Sequence, residues 1–373
     1  MKISSILLLT AATLAASLCP KPLTAQTSSN VHVWVTGLNS PRGLKFGPDG
    51  KLYVAEGGSG GTTSTTGTCT QVIGPVGPYT GGNTSQISRI DSEGTRTIIA
   101  SGFPSTVDAM GDLSGVADVA FLDGTLYALE GGAGCSHGDA LPNGVYSVNI
   151  KTGSWKLFAN LSTFIQTHMV KYPNPPDFEP DGTFYSMVEF QNRLYAVEPN
   201  HGQIVSIGTD GSMESVLDVS ASEGHIVPTA ITVRDGLFYL GNLNLFPIFP
   251  NFARILTVGH EECCRDSAPG LGDTGAHHSL HILSSKAGFT TVVGTAFGPD
   301  GLLYVLEFSD AAGYPTPGDG KVVRVKANGD IEDVATGLVV PTAMTFGPDG
   351  KLYVSNFGAA PPGAGQIVRI DIP

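Results

Sequence analysis

The chain has 373 residues, of which 49 are glycine and 25 proline, and only 14% are charged. That composition suits short strands joined by tight turns and excludes a mainly helical protein. The formal net charge is −13 and no lysine–arginine run is present, which excludes the basic stripe that nucleic acids and anionic membranes require.

The first 25 residues read as a cleaved secretory signal. Lys2 supplies the positive start, Ile6–Leu18 is apolar, and Leu23-Thr24-Ala25 offers a cleavage site before Gln26. The apolar run is too short to span a bilayer. Cys19 resembles a lipidation cysteine, but Leu18 before it fits that pattern poorly. A secreted or periplasmic protein is therefore expected, with residues 26–373 as a single domain and no transmembrane segment.

The remaining chain repeats itself. Leu52–Glu56 reads Leu-Tyr-Val-Ala-Glu, and related phrases return at Leu126–Glu130, Leu194–Glu198, Phe238–Asn242, Leu303–Glu307 and Leu352–Asn356. In three repeats a short apolar strand precedes the phrase and ends in Phe-Gly-Pro-Asp-Gly, at Phe46–Gly50, Phe297–Gly301 and Phe346–Gly350. Proline presets φ in such a turn and glycine takes the positive φ. Third strands follow at Gln86–Ile90, Gly144–Val148, Gln203–Ile207, Ala253–Val258, Lys321–Val325 and Gln366–Ile370. A fourth strand follows a glycine turn. Repeats of four short strands describe the blades of an all-β, six-bladed β-propeller with antiparallel blades.

The sixth repeat stops after three strands. Val31–Leu38 matches the fourth strand Ile331–Leu338 of the fifth repeat, so the N-terminal strand is expected to complete the last blade and remove an exposed edge.

Insertions interrupt the period at residues 57–83, 131–143, 160–181, 259–279, 308–320 and 357–365. Those that follow second strands, or enter first strands, emerge on one face, which marks it as the binding surface. Removal of the leader leaves Cys69, Cys135, Cys263 and Cys264, an even count that favours disulfides in an exported chain. Cys69–Cys135 is the expected pair, because both lie in loops after equivalent strands of adjacent repeats.

The chain resembles the ScyD/ScyE family of exported propellers, related to NHL-repeat and TolB-like proteins. The resemblance covers nearly all of the mature chain and rests on Leu38–Leu44, Phe46–Gly50, Ser114–Phe121, Phe178–Gly182, Val197–His201 and Pro362–Arg369. It implies a six-bladed propeller outside the cytoplasm. The family name is attached to biosynthesis of the pigment scytonemin, and the resemblance implies no particular reaction.

The repeat aligns Glu56, Glu130, Glu198, Asn242, Glu307 and Asn356 at the end of each second strand. Placed around a channel rim, these oxygens would suit Ca²⁺ as a cofactor, and without a cation their like charges would raise one another's pKa values. The alternative is that each caps its strand and bonds nearby backbone N–H groups. Arg42 and Asp118 open first strands near the axis, and Arg42 offers to neutralise the ring. Asp177, Glu179 and Asp181 cluster in one loop. Asp181 and His201 are candidates for acid–base catalysis, and Asn200 joins the rim set. His137 lies near Cys135. His277, His278 and His281 form a cluster lacking the glutamate of a zinc protease. The tyrosines of the Leu-Tyr phrases are expected in the core or between blades.

No nucleophile elbow, P-loop or dinucleotide fingerprint occurs. The first reading is therefore a monomeric exported propeller that binds a small molecule, a glycan or a protein on its loop-rich face. The second is a metal-dependent lactonase-like or esterase-like hydrolase with a cation at the channel mouth. The third is a quinoprotein sugar dehydrogenase, ranked last because its cofactor wants arginines that are scarce here.

Overall fold

The Pro-Asp-Gly turns explain why the repeat has its spacing. Gly50, Gly301 and Gly350 all adopt positive φ, between 73° and 80°. The turn aspartate then works twice. Asp49, Asp300 and Asp349 each accept the backbone N–H two residues on and the hydroxyl of the second-strand tyrosine, Tyr53, Tyr304 or Tyr353, at 2.9–3.2 Å. The leading glycine is required by the same contact. A Cβ on Gly47, Gly298 or Gly347 would lie 2.5–2.6 Å from that tyrosine ring.

In a computed structural model that describes residues 27–260 and 279–372, these units form six antiparallel sheets. Five contain four strands. The first adds a two-residue fifth strand, Leu113–Ser114, to its outer edge. Its third strand is also longer than the repeat suggests. It runs over Thr80–Ile90, so the end of the 57–83 insertion belongs to the sheet. The 160–181 insertion contains a short helix, Leu161–Thr167, whose first turn is capped by Asn160 accepting from the Thr163 N–H.

The last sheet has the order that closes the ring. Val31–Leu38 pairs antiparallel with Gly365–Ile370, with Val33 opposite Val368 and Val35 opposite Ile367. Asn30 clamps the junction by donating to the carbonyls of Val334 and Asp371, both at 3.0 Å. The apolar core is divided among the six gaps between neighbouring blades. Tyrosines of one blade meet phenylalanines of the next edge-on: Tyr53 with Phe121, Tyr239 with Phe297, Tyr304 with Phe346, and Tyr353 with Phe46, at centroid distances of 4.9–5.1 Å. The last of these contacts joins the final blade to the first.

The disulfide Cys69–Cys135 is present and ties the insertion of blade one to that of blade two. Cys19, Cys263, Cys264, His277 and His278 lie outside the described residues, as does the leader. No helix among the described residues is long and apolar enough to cross a membrane.

Candidate functional site

The six repeated acids and amides share one place in the blade, but they do not line a common cage. Each is buried, and all but Glu130 are spent on bonds within their own blade and the connector that enters it. Glu56 accepts from the Asn39 N–H (2.7 Å), from Gln86 Nε2 (3.1 Å), from the Ser88 hydroxyl, and from Arg96, whose Nη2 lies 2.6 and 2.7 Å from the two carboxylate oxygens. Glu198 accepts from the N–H groups of Thr183, Asn200 and His201. Glu307 accepts from the Thr290 N–H (2.6 Å) and lies 3.4 Å from Lys321 Nζ. Asn356 accepts from the Val339 N–H, and Asn242 joins Ile226 O, Asn244 and the Arg254 N–H. Asn39, Thr183, Thr290 and Val339 all lie where the chain approaches a first strand. In these four repeats, Glu56, Glu198, Glu307 and Asn356, the side chain therefore satisfies a connector N–H that no ladder reaches.

This geometry corrects the expectation of a channel rim. The side chains of Glu56 and Glu307 reach across the blade toward its third and fourth strands, and none of the six lines the axial cavity. Arg42 does not neutralise them. It donates to the Leu113 carbonyl, while Arg96 and Lys321 supply the positive charge. Apart from one Glu130 oxygen, the carboxylate and amide oxygens that Ca²⁺ would need already accept hydrogen bonds inside separate blades, so the ring does not fit that ion. Among the described residues, no three His, Cys, Asp or Glu side chains are arranged to hold a metal.

Glu130 is the exception within the set. It accepts from the Gly132 N–H at 3.0 Å, but its second oxygen is buried without a partner. Burial holds its pKa well above the usual carboxylate range.

The axis itself holds a cavity of about 70 Å³ lined by first strands, with Arg42, Lys45, Asp118 and Tyr185 as its ionisable groups. Asp118 accepts from the N–H groups of Val119 and Met187, both at 2.8 Å, and lies 3.8 Å from Lys45 Nζ. Burial raises its pKa, and Lys45 offsets part of that. Gly43 makes the room: a Cβ there would sit 1.9 Å from an Asp118 oxygen. The Tyr185 hydroxyl donates to Thr342 O, and burial pushes its pKa up to about 12.

The loop at 177–182 is knitted to the insertion of blade two. His137 contacts Glu179 Oε2 through Nε2 (2.9 Å) and Ala133 O through Nδ1 (2.7 Å). Burial alone would lower the His137 pKa and raise that of Glu179. Their mutual hydrogen bond and charge outweigh it, so His137 is raised and Glu179 lowered. Asp181 accepts both the N–H and the hydroxyl of Ser136. His201 is stacked on Phe178 and bonded through Nε2 to Glu179 O, and Asn200 accepts the Glu179 N–H. Asp181, Asn200 and His201 are all buried. They hold two loops together at the border of blades two and three, and neither catalytic candidate faces the axial cavity. The side chain of Asp177 is outside the described residues.

One open, aromatic-rich feature was not singled out by repeat analysis. The connector at 243–252, which follows the second strand of blade four, presents Leu245, Phe246, Phe249 and Phe252 to solvent. It is braced by blade five through paired backbone bonds between Ile248 and Gly313, of 2.6 and 2.9 Å. Tyr314 lies beside Phe246, with the rings almost parallel (6°) and their centroids 6.2 Å apart. Glu223, His225, Asn244 and Arg254 complete a cleft of about 510 Å³. Its signal in the sequence is three phenylalanines and two prolines between Leu243 and Phe252, where turn residues are the norm.

No protein-family model matches the chain, and no curated protein sequence matches it. Solved structures do share its fold. One is a gluconolactonase of Xanthomonas campestris, with TM-score 0.52 and 9% identity over 92% of this chain and 89% of that one. Another is a candidate oxidoreductase (glucose dehydrogenase) of Thermus thermophilus, with TM-score 0.54 and 16% identity over 91% and 99%. A third is a luciferin-regenerating enzyme, with TM-score 0.52 and 10% identity over 91% and 94%. At these identities the likeness is one of fold.

Proposed function

We propose that this chain is an exported binding propeller that takes its ligand on the loop-rich face, in the cleft beside blades four and five. One observation carries the reading. The open, aromatic-floored cleft offers about 510 Å³, whereas the axial cavity offers about 70 Å³. Small-molecule sites are typically concave, apolar-floored and several hundred Å³ in volume. Membership of the ScyD/ScyE family is part of the proposal and is supported by the motifs quoted above. Export is supported by the leader-like N-terminus and by the Cys69–Cys135 bridge.

The lactonase alternative places its chemistry at the axis. There a single carboxylate, Asp118, stands among the cations Arg42 and Lys45, a poor donor set for a divalent ion. A thermal-shift screen of small molecules, glycans and peptides tests the proposal. At least one compound should raise the melting temperature of the parent and not of a Phe249→Ala variant. Calcium-stimulated hydrolysis of a sugar lactone that is lost on Asp118→Asn would overturn it.

A further inference from the structure

We propose that the cleft takes a neutral oligosaccharide, an assignment that rests on the binding role above and names its ligand class. The floor comes first. Phe249 and Phe252, which line it, are 61% and 64% exposed, and Tyr314 beside it is 69% exposed, although aromatic rings of this size are ordinarily buried. A flat ring face carries negative charge density, which attracts the polarised C–H groups on one face of a pyranose. Phe246, which also lines the cleft, is stacked almost parallel with Tyr314, so the aromatic surface does not rest on a single ring.

The wall supplies the complementary chemistry. Asn244 Nδ2 is buried and donates to nothing, while its Oδ1 already accepts from Asn242. An unmade bond of this kind is unfavourable until something accepts it. Arg254 Nη1 donates to Glu223 Oε2 at 2.9 Å on the same wall. That ion pair presents a donor and an acceptor side by side. Vicinal hydroxyls meet both demands, because each hydroxyl donates and accepts. A proline-rich peptide can accept from Asn244 and Arg254, but its imide nitrogens have no hydrogen to give Glu223. The fixed charges of the wall cancel within the pair, which favours an uncharged ligand. The net charge of −13 repels polyanionic glycans.

The test uses the full mature chain and four soluble probes: cellohexaose, laminarihexaose, chitohexaose and maltohexaose, each titrated calorimetrically. We expect at least one to bind. Phe249→Ala with Phe252→Ala should weaken it at least tenfold, and Asn244→Asp about fivefold, with the circular dichroism and melting temperature of both variants unchanged. If none of the four binds, or if binding is indifferent to these substitutions, the saccharide assignment is overturned. A proline-rich peptide or an aromatic compound binding in their place, with the same dependence on Phe249, overturns the ligand class and leaves the binding role standing. So does Phe249-dependent retention on phosphatidylcholine vesicles. If every probe fails, the binding role falls as well.

Discussion

Glu56 shows what a repeated acid does in this molecule. It is fully buried and paired with Arg96, and removing one member of such a pair strands the other's charge. Arg96→Ala should therefore cost about 3 kcal/mol, read as a lowered guanidinium midpoint. Glu130 makes the opposite prediction, because no cation meets it. Its folded pKa is raised by burial, so its protonated form favours folding at acid pH. That contribution is complete below the ordinary carboxyl pKa and is lost as pH rises through the raised folded value. Glu130→Gln should thus flatten the loss of stability between pH 5 and pH 8 by about 1–3 kcal/mol, measured by denaturation at both pH values. A parent and variant with parallel pH profiles would refute the assignment. The place of these residues was legible because the repeat aligns them. Their partners were not, since Arg96 lies 40 residues beyond Glu56 on an outer strand, and a linear motif carries no record of that contact.

At the scale of elements, the Phe-Gly-Pro-Asp-Gly turn and the Leu-Tyr strand act as one device. Gly298→Ala drives a methyl group against the Tyr304 ring and Asp300, so we expect a loss of about 1–3 kcal/mol from overpacking. Urea unfolding would register it, and an unchanged midpoint would mean that the turn can relax. The disulfide joins two insertions across a sequence separation of 66. Chain entropy then predicts that the double substitution Cys69→Ser, Cys135→Ser costs about 4 kcal/mol, visible as a lower melting temperature under non-reducing conditions. Strands and turns were readable from alternation and glycine. The Leu161–Thr167 helix was not, because seven residues are too few for a clear periodic signal. The aromatic connector at 243–252 escaped because it is no longer than an ordinary loop, and only its composition is unusual.

The whole molecule depends on its sixth blade. Each neighbouring pair of blades shares an apolar seam, so a breach in one sheet exposes two seams. Deleting Val31–Leu38 bares the strand Gly365–Ile370 and the seam around Leu38, Tyr353 and Ile367. The truncated protein should melt well below the parent in a single transition, and an unchanged melting temperature would disprove the closure. The architecture was the most legible property of the sequence, since a missing fourth strand at one end and a spare one at the other leave little choice. The proposed binding cleft was less legible, because it is assembled from segments that the repeat does not align: Glu223, Asn244, Phe249 and Arg254 with their neighbours. The same closure dictates a timetable. His32 and Asp371, in contact in the folded ring, are 339 positions apart. A ribosome delivers the strand Val31–Leu38 long before its mate, Gly365–Ile370. Until then the newborn chain carries a strand without its partner, the kind of open edge through which nascent copies can misassemble.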